Sequence, residues 1–156
     1  MIKTEKYKLF HNSKDFEIVL KESIPEFNKS IPITYDVFCK TILKNCLLKE
    51  SIIIIFKNDK PIGYFIIDIS NRKVLFSFSY ILPKERGNGY SNILRVAAFD
   101  TFKNMFDNIT VACDPQNVAS YKGLLYLLNK YNCKFKKSNI NINGKWYDKF
   151  EIEKFN

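Results

Sequence analysis

The chain has 156 residues, 46% of them hydrophobic and 15% aromatic, enough for one compact domain with a filled core and too apolar for an intrinsically disordered chain. Its longest apolar runs, such as Ile52 to Phe56, fall far short of the roughly 20 residues a membrane helix needs, and the opening MIKTEKYKLF lacks a signal-peptide pattern, so a cytoplasmic protein is expected. The formal net charge of +9 is compatible with a nucleic acid, an anionic substrate, an anionic cofactor or simple compositional drift, and the scattered lysines lack the patch a nucleic acid needs.

In chain order, Lys6 to Phe10 reads as a short first strand. Ser13 is placed to cap a helix running to Phe27, with Phe16, Val19 and Leu20 near helical spacing. A second helix is expected from Thr34 to Leu47, carrying the apolar stripe Val37, Phe38, Ile42, Leu43 and Cys46. Ser51 to Phe56, Ile62 to Ile69 and Lys73 to Leu82 read as three strands with short turns between them, an antiparallel meander. Pro83 to Asn88 is a loop, followed by a helix from Gly89 to Met105 and a short strand at Ile109–Cys113. The periodicity then predicts a helix over Asn117–Tyr131, with Asn132 in a left-handed position behind it. Lys134–Ile142 and Trp146–Phe155 form the last pair of strands, joined by Asn143-Gly144, a strong type I′ hairpin signal. The order β-α-α-β-β-β-α-β-α-β-β describes an α/β (α+β) domain with a mixed, mostly antiparallel sheet.

The four cysteines, Cys39, Cys46, Cys113 and Cys133, have no metal-ligand spacing, and His11 is the one histidine. No metal site is expected, and the cysteines read as reduced, mostly buried thiols. With His11 in the connection between the first strand and the first helix, a Ser–His or Cys–His nucleophile is not expected either.

The segment Tyr80-Ile-Leu-Pro-Lys-Glu-Arg-Gly-Asn-Gly-Tyr-Ser91 carries the most chemistry. Gly87 and Gly89 open backbone conformations closed to other residues and let a ligand approach the main chain. A loop that turns into a helix leaves N–H groups without intrahelical partners, and these, with the positive end of the helix dipole, suit a phosphate. Arg86 adds a candidate charge-assisted contact. Two glycines at a strand-to-helix turn can also serve geometry alone. The segment is neither a Walker loop nor a dinucleotide fingerprint, since the G-x-x-x-x-G-K-[ST] pattern and the third glycine are missing.

With Pro83, then Lys84-Glu85, then Arg86-Gly87-Asn88-Gly89-Tyr90-Ser91, the segment resembles the V-x-P and R-G-x-G-x-G/A elements of the GNAT acetyltransferase superfamily. Ser91 replaces the last small residue of that pattern. The element order extends the resemblance over nearly the whole chain. Asp114 to Ser120 is similar to the family's N-x-x-[AS] segment.

The resemblance implies acetyl-CoA as acyl donor, lying where the fourth and fifth strands part. The backbone of Ile81 and Leu82 would pair with the pantetheine and the thioester carbonyl. The N–H groups from Gly87 through Asn88, Gly89 and Tyr90 to Ser91 would hold the pyrophosphate, with Arg86 beside them and Asn117 on the pantetheine arm. The acetyl group would pass directly to a primary amine of a small molecule, peptide or protein. The family often protonates the departing thiolate with a tyrosine seven residues past this asparagine, and here that position is Leu124. Tyr121 lies about 40° round the helix from Asn117, on the same face, and is the candidate acid in its place. Tyr126 points to the opposite face. Ser77, Ser79, Asp114 and an ordered water are all open as the base. A homodimer is common in the family. Two other readings stand beside the enzyme: a non-catalytic acyl-CoA-binding regulatory domain, and a basic nucleic-acid-binding module, which would show strongly salt-dependent binding.

Overall fold

A computed structural model describes residues 1–7, 14–29 and 31–154. The chain gathers into two compact units: Met1–Asp68 with Phe76–Ala98, and Ile69–Leu75 with Phe99–Asn156.

The first unit is built on a run of isoleucines. Strand β2 (Ile52–Lys57) has Ile52, Ile53, Ile54 and Ile55 all buried, as expected of an inner strand covered on both faces. It pairs antiparallel with β1 (Ile2–Lys6) on one side and β3 (Lys60–Ser70) on the other. Strand β4 (Lys73–Ile81) closes the order β1-β2-β3-β4. The first strand was expected at Lys6–Phe10 and lies at Ile2–Lys6 instead. Its sequence, IKTEK, has little apolar content of its own, and its place is set by pairing from Ile2↔Lys57 to Lys6↔Ile53. The remainder of the expected strand, Lys8 to Phe10, lies outside the described residues, as do His11 and the expected cap Ser13.

Helix α1 (Lys14–Phe27) buries Phe16, Val19, Leu20, Ile24 and Phe27. Phe27 meets Phe38, Phe76 and Phe78 edge-on, with ring centroids 5.0–5.7 Å apart. One polar link crosses this core. Ser23 donates to the Leu20 carbonyl at 2.6 Å, so the Tyr64 hydroxyl, also 2.6 Å away, donates to Ser23. Both residues are fully buried, and burial pushes the Tyr64 phenol well above its usual range. The second helical run starts where expected, with Thr34 Oγ1 accepting the Val37 N–H at 3.3 Å. It continues as α2 (Tyr35–Phe38), a π-helical turn (Cys39–Leu43) and α3 (Lys44–Leu48). The π turn has no counterpart in the apolar stripe.

Strand β5 (Ile109–Cys113) and the hairpin β6 (Lys134–Ile142) and β7 (Lys145–Lys154) form the sheet of the second unit, in the order β5-β7-β6. Asn143 and Gly144 take φ of 52° and 86°, as the Asn-Gly signal requires. Asn132, behind helix α5 (Val118–Lys130), takes φ 49°. Lys73 forms a parallel bridge to Asn108, beside the Arg72–Asp107 ion pair at 2.8 Å. Helix α4 (Tyr90–Phe102) is shorter than expected, with a 3₁₀ turn at Lys103–Met105. Cys46 and Cys113 are buried, Cys39 and Cys133 partly so, and none of the four is in a disulfide. Among the described residues no group of side chains could hold a metal ion, and no helix is long and apolar enough to cross a membrane.

Candidate functional site

In the first unit, the chain leaves β4 through buried Ile81 and Leu82, makes a 3₁₀ turn at Pro83–Glu85, and enters α4 at Tyr90. The approach to this loop is tight. A Cβ at Gly63 of β3 would collide with the Tyr80 carbonyl oxygen and lie 2.7 Å from Ile81 Cδ1. The Leu82 N–H bonds to the Ile62 carbonyl at 2.9 Å. By the alternation of an antiparallel ladder, the Ile81 N–H then points away from β3, toward the edge of this sheet.

Gly87 and Gly89 have φ of 84° and 77°, and a Cβ on either would meet nothing within 4 Å. The glycines are therefore required by backbone conformation, with open space beside them rather than packed protein. The first helical bond of α4 runs from the Ile93 N–H to the Gly89 carbonyl at 3.3 Å. The N–H groups of Tyr90, Ser91 and Asn92 precede it and have no intrahelical acceptor. A row of main-chain donors thus stands at the positive end of a 13-residue helix, an arrangement that favours an anion.

Side chains fix the loop without filling this space. Asn88 Nδ2 donates to the Glu85 carbonyl at 3.1 Å, and Lys57 Nζ donates to Glu85 Oε2 at 3.0 Å. Arg86 departs from expectation. Its Nε donates to the Ile81 carbonyl at 2.9 Å, its Nη2 to Glu26 Oε1 of α1 at 2.6 Å, and its guanidinium lies 5.3 Å from the centre of the Tyr80 ring. Arg86, expected beside a pyrophosphate, is bonded here within its own protein, and the Ile81 carbonyl is engaged by it. Burial raises the Tyr80 phenol, with Arg86 pulling the other way. On the α1 side, Lys84 and Glu85 border a cleft of about 460 Å³ floored by Val19, Ile62 and Leu82.

In the second unit, Asn117 caps α5, its Oδ1 accepting the Ser120 N–H at 3.4 Å. Asp114 is a turn residue, accepting the Gln116 N–H at 2.9 Å and Lys145 Nζ at 2.7 Å, which together hold its carboxyl below the usual range. Tyr121 packs edge-on against Phe150, 5.7 Å between centroids, and its hydroxyl donates to Asp148 Oδ2 at 2.7 Å. The Tyr121 hydroxyl and then the Asp148 carboxylate hold the Lys137 ammonium above its ordinary pKa. Tyr126 is 44% exposed. The expected acid is thus bonded to a carboxylate.

Sequence reasoning, which weighed Glu22, Glu26 and Asp36 only as acids that could attract a cationic amine, missed Asp148, Lys137 and the pairing of Glu26 with Arg86. Asp148 had a signal: Trp146, Asp148, Phe150 and Ile152 share one face of β7, so a charged residue sits in an inward register. The Glu26 pairing had none, since its partner lies 60 residues away.

No family model matches the sequence and no curated protein matches it. Solved structures do. The diaminobutyrate acetyltransferase of Paenibacillus lautus, solved with its substrate L-2,4-diaminobutyric acid and coenzyme A, superposes with a TM-score of 0.69 at 12% identity, over 99% of this chain and 96% of that one. An N-acetyltransferase from Staphylococcus aureus gives 0.66 at 15% identity, over 99% and 98%. A GNAT-family acetyltransferase from Streptococcus pneumoniae gives 0.64 at 14%, over 99% of both chains. The chain has the fold of the GNAT acetyltransferases from end to end.

Proposed function

We propose that this chain, on the GNAT acetyltransferase fold, is an N-acetyltransferase that moves the acetyl group of acetyl-CoA to a primary amine. The observation that carries this reading is the loop Ile81 to Ser91: two left-handed glycines with open space beside them, and unpartnered N–H groups at the start of α4. Those donors suit the pyrophosphate of a coenzyme A ester. The Paenibacillus lautus neighbour, solved with coenzyme A and an amine substrate, supports the same reading.

In this reading, Gly87, Asn88, Gly89, Tyr90 and Ser91 offer main-chain N–H groups to the phosphates. Ile81 offers its outward N–H to the thioester carbonyl oxygen, where negative charge develops as the amine adds. Leu82 seats the pantetheine by contact, its own N–H being engaged with Ile62. The neutral amine adds to the carbonyl carbon, the C–S bond breaks, the new amide nitrogen loses a proton, and the thiolate gains one.

We assign the thiolate's proton to water rather than to Tyr121. The phenol already donates its one hydrogen to the Asp148 carboxylate at 2.7 Å, so that donor is engaged within the protein. A thiolate with a pKa near 8.5, as in cysteine, needs no strong acid at neutral pH. Tyr121 instead holds α5 against β7. Its engagement also favours a second reading, a domain that binds acyl-CoA without turning it over.

Calorimetric titration with acetyl-CoA, beside free CoA and a short DNA duplex, tests the proposal. Micromolar or tighter acetyl-CoA binding that Gly89→Glu abolishes is expected, because a side chain at φ 77° strains the loop and a carboxylate repels the phosphates. Thiol release on adding amines then separates enzyme from binder. Absence of acetyl-CoA binding sinks both, and duplex binding puts the basic module in their place.

A further inference from the structure

Arg86 is the residue in this loop whose chemistry looks most like that of a phosphate ligand, yet three contacts from three directions restrain it. Its Nε reaches the Ile81 carbonyl at the end of β4, its Nη2 reaches Glu26 on α1, and its Cζ lies 5.3 Å from the centre of the Tyr80 ring. A guanidinium 2.6 Å from a carboxylate has most of its charge answered there, so little field is left for a further anion. Both bonds also use the rigid fork of the side chain, which a lysine does not possess. The loop between these anchors is short: Arg86 stands directly before Gly87, where the left-handed turn begins. Fixing the guanidinium to β4 and to α1 therefore fixes where the following N–H groups point.

We propose that Arg86 and Glu26 form a bracket that sets the cofactor loop in its binding geometry, Glu26 being a positioning residue for the amides of Gly87 to Ser91 and Arg86 acting through the main chain rather than as a phosphate ligand. This inference rests on the reading of that loop as the acetyl-CoA site. The bracket and a direct phosphate contact differ in sign. If Arg86 gripped the phosphates, Glu26 would compete for it, and Glu26→Gln would tighten acetyl-CoA binding. As a bracket, the pair loses its hold in Glu26→Gln, and binding weakens.

The test is calorimetric titration of acetyl-CoA into the wild type, Glu26→Gln, Arg86→Lys and the double variant, with NMR of the unliganded proteins. Glu26→Gln and Arg86→Lys are each expected to weaken binding about tenfold, the worth of one charge-assisted hydrogen bond. The double variant is expected to be little worse than either, because both remove one coupled unit. The side chains of Arg86 and Glu26 are 44% and 37% exposed, so melting temperatures should hardly move, which separates positioning from a loss of folding. In the unliganded protein, the Arg86 Nε–H should exchange slowly with solvent and faster in Glu26→Gln. Tighter or unchanged acetyl-CoA binding in Glu26→Gln, or full retention in Arg86→Lys, overturns the bracket. So does Arg86 Nε–H exchange indifferent to Glu26, whatever the cofactor results. A wild type that does not bind acetyl-CoA fails at a different point: it overturns the cofactor reading and the bracket's purpose with it.

Discussion

Gly63 shows how one missing methyl sets a site at a distance along the sheet. Its bare Cα admits the Tyr80 carbonyl at the last turn before the loop, so β3 and β4 meet more closely there than any side chain would allow. Gly63→Ala puts a carbon into that contact with backbone on the other side, which cannot rotate away. Urea unfolding is expected to show a loss of about 1–3 kcal/mol, typical of overpacking. Acetyl-CoA affinity should fall with it, because the strain is released into the strand that carries Ile81. A variant as stable as the wild type would show that β4 has slack at this point.

At the scale of elements, the helix α5 is joined to the central strand of its sheet by a polar contact inside an aromatic one. Tyr121 packs edge-on against Phe150 and donates to Asp148, whose side chain is 17% exposed. Tyr121→Phe keeps the ring and leaves the carboxylate short of a donor, at an expected cost of about 1–2 kcal/mol in unfolding measurements. Amine acetylation at saturating substrate should change little. A drop of about a hundredfold or more, the contribution of a general acid, would return Tyr121 to the chemistry.

Much of the element pattern was legible because it rests on local rules. The isoleucine run of β2, the helix start at Thr34, the left-handed Asn132 and the Asn-Gly hairpin each announce themselves within a few residues. The strand β1 did not, because IKTEK owes its position to the edge it pairs with, and the π turn at Cys39–Leu43 did not, because its apolar stripe is compatible with an unbroken α-helix. The site divided along the same line. Gly87 and Gly89 are read from the chain itself, whereas the direction of Arg86 and the engagement of Tyr121 depend on Glu26 and Asp148, brought close only by folding.

For the molecule as a whole, charge links folding to acidity. Lysine and arginine outnumber the acids 25 to 16, so each paired carboxylate holds down repulsion as well as making its own contact. Asp114 has a folded-state pKa below its ordinary value, with the Lys145 ammonium the first cause and the Gln116 N–H the second. A depressed carboxyl contributes stability that is complete above the unfolded pKa, near 3.9, and disappears as the pH falls through the folded value. Asp114→Asn is therefore expected to be less stable than the wild type at neutral pH and to converge on it in acid. Unfolding curves from pH 7 down to pH 2 check this, and a constant offset across the range would refute it.

The proposed anion cradle at the start of α4 is made of main chain. Every residue except proline supplies the same N–H, so the cradle constrains Gly87 and Gly89 and little else between them. Such a site can drift through its lettering while its backbone shape is kept, and this chain, with identities of 12–15% to acetyltransferases, has their fold. It also leaves Tyr90 and Ser91 free to be rewritten. An engineer could tune what surrounds the phosphates at those two positions without touching the groups that would hold them.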